Sequence, residues 1–226
     1  MKNKIFFCLV IATNVFLNSR PAGAQDNSSV AERKFELAAD VSVSSFPPGQ
    51  TVVGLGGRLT YNLNSHFALE AAGYFFPQEC RFCSRHAGQM TEGFFGVKIG
   101  KRFHKWGIFG KARPGLVSSS KGQFDLVAIG TSVFDPPSSV SAPTFFVVEK
   151  RLTTFAADVG GVVEFYPTKR IITRLDVGST IIRFEPRTID FPVFNLSTGS
   201  FTSQQSTIPG QNRGVLQVMA GVGFRF

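Results

Sequence analysis

The stretch LQVMAGVGFRF (residues 216–226) sorts by parity into two unlike sets. Leu216, Val218, Ala220, Val222, Phe224 and Phe226 fall on one side, and Gln217, Met219, Gly221, Gly223 and Arg225 on the other. A period of two is that of a β-strand, whose successive side chains point to opposite faces. Chain termini usually fray and are polar. A final phenylalanine on an unbroken apolar face therefore predicts a terminus built into a sheet. The fold turns on what solvent that apolar face meets.

Working outward, the same period runs through the chain. Phe35, Leu37, Val41 and Val43 oppose Glu36, Asp40 and Ser42, while Val53, Leu55, Leu59 and Tyr61 oppose Gly54, Gly56, Arg58 and Thr60. Phe67, Leu69, Ala71 and Phe75 oppose Glu70 and Tyr74; Phe95, Val97, Ile99 and Phe103 oppose Lys98 and Arg102. Trp106, Ile108 and Ala112 oppose Lys111 and Arg113. Phe155, Val159, Val163 and Phe165 oppose Asp158 and Glu164, and Ile171, Leu175, Val177 and Ile181 oppose Arg174 and Asp176. With the terminal segment these make eight strands. Their connections alternate in length: short near Asn64, His104 and Thr168, longer at about 46–50, 77–90, 118–150 and 186–213. Tight turns at one end and long loops at the other describe an antiparallel up-and-down meander. Within the third long loop, FDLVAIG and FFVVEKRL (residues 124–130 and 145–152) are apolar enough to extend the flanking strands as a protruding hairpin.

Composition agrees. At 226 residues, 43% of them apolar, the chain is sized for one domain and is not disordered. Its 25 phenylalanines, one tryptophan and 23 glycines, with few helix-favouring runs, fit an all-β protein. The first residues are a separate matter. Lys2 and Lys4 precede an apolar run from Ile5 to Phe16, and Ala22-Gly23-Ala24 follows. That is the pattern of a secretory signal peptide over residues 1–24, cleaved after Ala24. The run is too short to cross a bilayer as a helix. The mature domain is then residues 25–226, and loss of Lys2, Lys4 and Arg20 lowers the net charge from +9 to +6. For an exported protein this excess points to anionic lipid headgroups or surface polysaccharide, not to nucleic acid. Cys80 and Cys83 are expected to form a disulfide in an oxidising compartment. The competing metal site is incomplete, with His86 as its one nearby third ligand.

The charges decide which face is inside. Glu36, Asp40, Arg58, Glu70, Lys98, Lys111, Arg113, Asp158, Glu164, Arg174 and Asp176 all fall on the glycine-rich parity. The opposite parity is almost free of charge through every strand's middle. A soluble eight-stranded barrel would have to crowd its interior with untapered Phe, Leu and Ile. A membrane barrel inverts the arrangement, apolar to lipid and polar to the lumen. Phe67, Phe103, Trp106, Phe165, Phe224 and Phe226, with Tyr61, then gather near the short turns as an interfacial girdle. Lys101 and Arg183 break the outward parity only near strand ends, where they can snorkel. Pro114 cannot donate to a ladder, so it marks a bulge or the membrane exit of its strand. The fold class is all-β: an eight-stranded antiparallel up-and-down transmembrane β-barrel with a polar, charged lumen.

Signal peptide, eight alternating strands, short turns, longer loops and a terminal GFRF resemble the OmpA-type outer-membrane barrels of diderm bacteria. The resemblance is architectural, and it implies that Phe224 and Phe226 form a signal read by the barrel-insertion machinery. It also implies a setting among outer-membrane lipid and lipopolysaccharide. No catalytic, cofactor or metal residues are assigned. Ser65 and His66 are sequence neighbours expected on opposite faces, a poor dyad. The function expected is structural or surface contact with an extracellular protein or glycan through the loops. The alternative is a narrow gated pore for ions or small solutes, with a lipid-modifying enzyme behind it. Inside the barrel, Arg58 is expected opposite Glu70, Glu164 beside Arg174, and Lys98 opposite Lys111 with Glu70 or Asp158 between them.

Overall fold

The computed structural model describes residues 33–47, 49–79, 88–129, 144–195 and 200–226. Its strands are β1 (Phe35–Phe46), β2 (Gln50–Asn62), β3 (Phe67–Phe76), β4 (Met90–Arg102), β5 (Trp106–Ile129), β6 (Thr144–Phe165), β7 (Ile171–Phe184), β8 (Arg187–Asn195), β9 (Ser200–Ile208) and β10 (Gln211–Arg225). Eight of them, in the order β1-β10-β7-β6-β5-β4-β3-β2, close a barrel in which every neighbouring pair is antiparallel. The terminal segment supplies the seam: β10 pairs with β1 from Glu36↔Arg225 to Ser45↔Leu216. Beyond it, Phe226 donates its N–H to the Phe35 carbonyl at 3.0 Å, and Phe35 returns a bond at 3.2 Å. Closure leaves the barrel no free sheet edge.

Alternation along these strands matches inside against outside. Lys98 and Asp158 are 0% exposed, whereas Leu55 and Phe95 are 63% and 60% exposed. Phe103 and Trp106 stack at 4.2 Å on the short-turn rim, and Phe35 lies 5.0 Å from Tyr61. The inward face is not polar throughout. Toward the long loops it becomes an apolar layer that includes Phe46, Phe76, Met90, Phe94, Ile182, Phe184 and Val215. Inward glycines make room for these rings. A Cβ at Gly54 or Gly115 would stand 2.7 or 2.6 Å from a ring carbon of Phe76 or Phe94.

Several expectations are corrected here. The connection at 46–50 is no open loop: β1 runs to Phe46, β2 begins at Gln50, and Gly49, at φ 126°, donates to the Phe46 carbonyl at 2.7 Å. The segment 186–213 is largely the β8–β9 hairpin, paired from Arg187↔Ile208 to Asn195↔Ser200. The 118–150 segment, by contrast, extends β5 and β6 as the expected two-stranded ribbon, up to Ile129↔Thr144 and past a register shift between Ser119 and Gln123. Pro114 sits at no bulge. The β4–β5 register is the same at Phe94↔Gly115 and Val97↔Ala112, and only the rungs between them are missing. The signal peptide with its Ala24 cleavage point, and the Cys80–Cys83 disulfide, fall outside the described residues.

The register of β2 on β3 also differs. Arg58 stands opposite Ala72, and Glu70 opposite Thr60. The turn is centred one residue later than its sequence suggests. Asn64 Oδ1 accepts the N–H groups of His66 and Phe67, each at 2.8 Å, and Leu63 N–H donates to the Phe67 carbonyl at 3.0 Å. An asparagine side chain that mimics a backbone turn sets the loop, and one residue of displacement moves the pairing by two.

Candidate functional site

The eleven charged residues assigned to the lumen are all buried in the structure and lie inside the barrel. Their geometry is a web of ion pairs that crosses the lumen as well as following neighbouring strands. Glu70 on β3 is one hub. It accepts Arg113 Nη1 at 2.6 Å and Arg174 Nη2 at 3.0 Å, and Arg58 Nε lies 4.0 Å away. Arg113 continues through Nε to Asp158 at 2.9 Å, and Arg174 through Nη2 to Asp176 at 2.7 Å. Lys111 Nζ sits between Asp158 and Asp176 at 2.9 and 3.1 Å. Arg58 also donates to Asp40 at 3.1 Å.

Glu36 on β1 is the second hub, nearer the short turns. Arg225 Nε donates to it at 2.8 Å, Asn62 Nδ2 at 2.8 Å and Arg102 at 3.3 Å. Lys98 Nζ, 3.9 Å from Glu36, donates to Glu164, which also accepts Tyr166 OH at 2.8 Å and lies 3.7 Å from Arg174. The two hubs thus join through Glu164 and Arg174. Lys98 and Arg225 further lie 4.8 Å from the ring centroids of Phe109 and Tyr166, close enough for cation–π attraction.

Burying a charge is costly unless it is paired, and the pairing here is dense. Glu164 stands directly opposite Arg174, and Lys98 directly opposite Lys111. Of the two acids expected to separate the lysines, Asp158 serves and Glu70 does not. Asp158 and Asp176 hold Lys111, Glu164 and Glu36 hold Lys98, and Glu70 is taken by arginines. Arg225, Arg102 and Glu92 share this interior but were not assigned to the network from sequence. Arg225 and Arg102 alternate with outward aromatics, and Glu92 shares the parity of Lys98, so parity was the available signal. Glu92 accepts from Gln217 Nε2 at 2.9 Å, and Gln217 also bonds Ser42 and Thr180 at 3.0 and 2.8 Å. This polar tier lies between the ion pairs and the apolar layer.

Ser65 and His66 are closer than expected: Ser65 Oγ is 2.9 Å from His66 Nδ1. The pair sits exposed in a turn whose Asn64 side chain is committed to backbone. Phe224 and Phe226 are outward at the short-turn rim, 6.3 Å apart, with Phe226 also 6.2 Å from Phe35.

No family model and no curated protein matches the chain. Solved structures similar to it include the outer membrane protein OprG from Pseudomonas aeruginosa, at 11% identity and a TM-score of 0.46 over 87% of this chain and 97% of that one. Ail, the attachment invasion locus protein of Yersinia pestis, in complex with the heparin analogue sucrose octasulfate, has 10% identity and a TM-score of 0.44 over 87% and 99%. Neisserial surface protein A has 16% identity and a TM-score of 0.41 over 85% and 97%. These likenesses are remote, and the class of the molecule rests on its own geometry. A closed antiparallel barrel with an apolar exterior and a salt-bridged interior is a transmembrane barrel of the outer-membrane type. It is an integral protein of the bacterial outer membrane.

Proposed function

We propose that the protein is a closed, non-catalytic outer-membrane barrel that serves structure and surface contact through its long-loop end. The observation that carries this reading is the filled interior. An ion-paired tier, a polar tier and an apolar layer follow one another along the lumen, and their members are buried. A conducting path requires all three to part. The long-loop end carries the β5–β6 ribbon and the β8–β9 hairpin, whose residues Thr202–Thr207 are exposed and polar. Such adaptable polar surface suits contact with a protein or glycan. In this reading the chain is exported by its signal peptide, the barrel-assembly machinery reads Phe224 and Phe226, and lipopolysaccharide surrounds the outer rim. A Cys80–Cys83 disulfide then braces a loop without being needed for insertion. Planar-bilayer recording of the refolded protein tests the central point. Electrical silence is expected; reproducible unitary current steps would overturn it in favour of a gated pore.

A further inference from the structure

Exposed charge is distributed unevenly between the two ends of the barrel. Among the described residues, the acidic side chains that reach solvent are Glu79, Glu149, Glu185 and Asp190, all at the long-loop end. At the short-turn end the acids Glu36 and Glu164 are buried in the lumen, while Lys101, Lys105, Lys169 and Arg170 are exposed. These four cations occupy one sector, between β4 and β7. The Tyr166 N–H donates to the Lys105 carbonyl at 2.9 Å, which ties the second short turn to the start of the third. Thr168 Oγ1 accepts the N–H groups of Arg170 and Ile171 at 3.2 and 3.0 Å, which fixes the third.

The same sector carries outward aromatics. Phe103 stacks on Trp106, Trp106 stands opposite Phe165 across the β5–β6 ladder, and Lys101 Nζ is 5.6 Å from the Phe103 ring centroid. Aromatic side chains of this kind sit at headgroup level, and lysine stems reach past them toward phosphate. We propose that this sector of the short-turn rim is a docking collar for anionic phospholipid headgroups of the leaflet it faces. The phosphodiesters of lipids along this sector are held by Lys101 and Lys105 on one side and by Lys169 and Arg170 on the other, while their acyl chains lie along Trp106 and Phe165. The collar deepens the membrane-barrel reading and rests on it.

Trp106 is the only tryptophan of the chain, so indole fluorescence, excited selectively over the three tyrosines, reports this rim alone. The full-length refolded protein is placed in phosphatidylcholine vesicles that carry a fixed fraction of brominated phosphatidylglycerol or of brominated phosphatidylcholine. Quenching of Trp106 is expected to give an affinity ratio of about fivefold in favour of the anionic lipid, the scale of a single engaged cation. The ratio should fall toward one in 1 M salt and in a K101Q/K105Q/K169Q/R170Q variant. It should persist in an R151Q/R183Q variant, altered at the opposite end. Equal quenching by both lipids, or an equal loss in the opposite-end variant, would overturn the collar and leave the barrel standing. Quenching by neither lipid would overturn the bilayer placement of the rim, and the collar with it.

Discussion

At Glu70 three guanidinium groups, from β2, β5 and β7, converge on one buried carboxylate. Glu70→Gln keeps the shape and removes the charge, so Arg113 and Arg174 lose their shared counter-ion in a medium that cannot hydrate them. Breaking a buried pair from one side costs about 3–5 kcal/mol. Urea titration of the refolded variant in detergent micelles should show a loss of that order; a change below about 1 kcal/mol would mean the hub is redundant. The inward placement of Glu70 was legible in the sequence, because parity alone assigns it. Its partners were not. Arg58 was expected directly opposite, yet the Asn64 side chain recentres the turn and leaves it on the diagonal. Arg113 and Arg174 lie across the lumen, where contact depends on the stagger of a closed barrel, a property of all strands together.

At the scale of elements, all eight barrel strands were legible, since each carries its own period of two. The β8–β9 hairpin was not, because TSQQST in β9 has no apolar face to alternate, and Pro192 demotes the short run of Ile189, Phe191 and Val193 in β8. That hairpin is an insertion between strands that already meet: Phe184 on β7 stands opposite Gln211 on β10. Deleting residues 187–208 would leave Glu185, Pro186, Pro209 and Gly210 as a four-residue turn across a pair already in register. Loop length itself has a weak effect on stability. The truncated protein should therefore refold, with a denaturation midpoint matching a change within about 1 kcal/mol. Failure of the barrel to form would show instead that β8, which lies against β5, braces the wall.

For the whole molecule, the orientation of the two faces determines everything else, from the paired lumen to the position of the aromatic rim. The choice between a soluble and a membrane barrel was legible because eleven charges share one parity. The apolar layer at the long-loop end was not, because Phe76 and Phe94 sit beside the outward Phe75 and Phe95, so that parity there sets aromatic against aromatic. Nuclear Overhauser contacts between lipid acyl chains and protein methyl groups, recorded on the refolded protein in phospholipid nanodiscs, test the orientation most directly. Acyl-chain contacts are expected at Leu55, Leu59, Leu175 and Val222, which face outward, and none at Ile172, Ile182, Val215 or Met219, which face the interior. Acyl contacts at Ile182 and Val215, with Leu55 and Val222 in contact with water alone, would contradict the inside-out barrel.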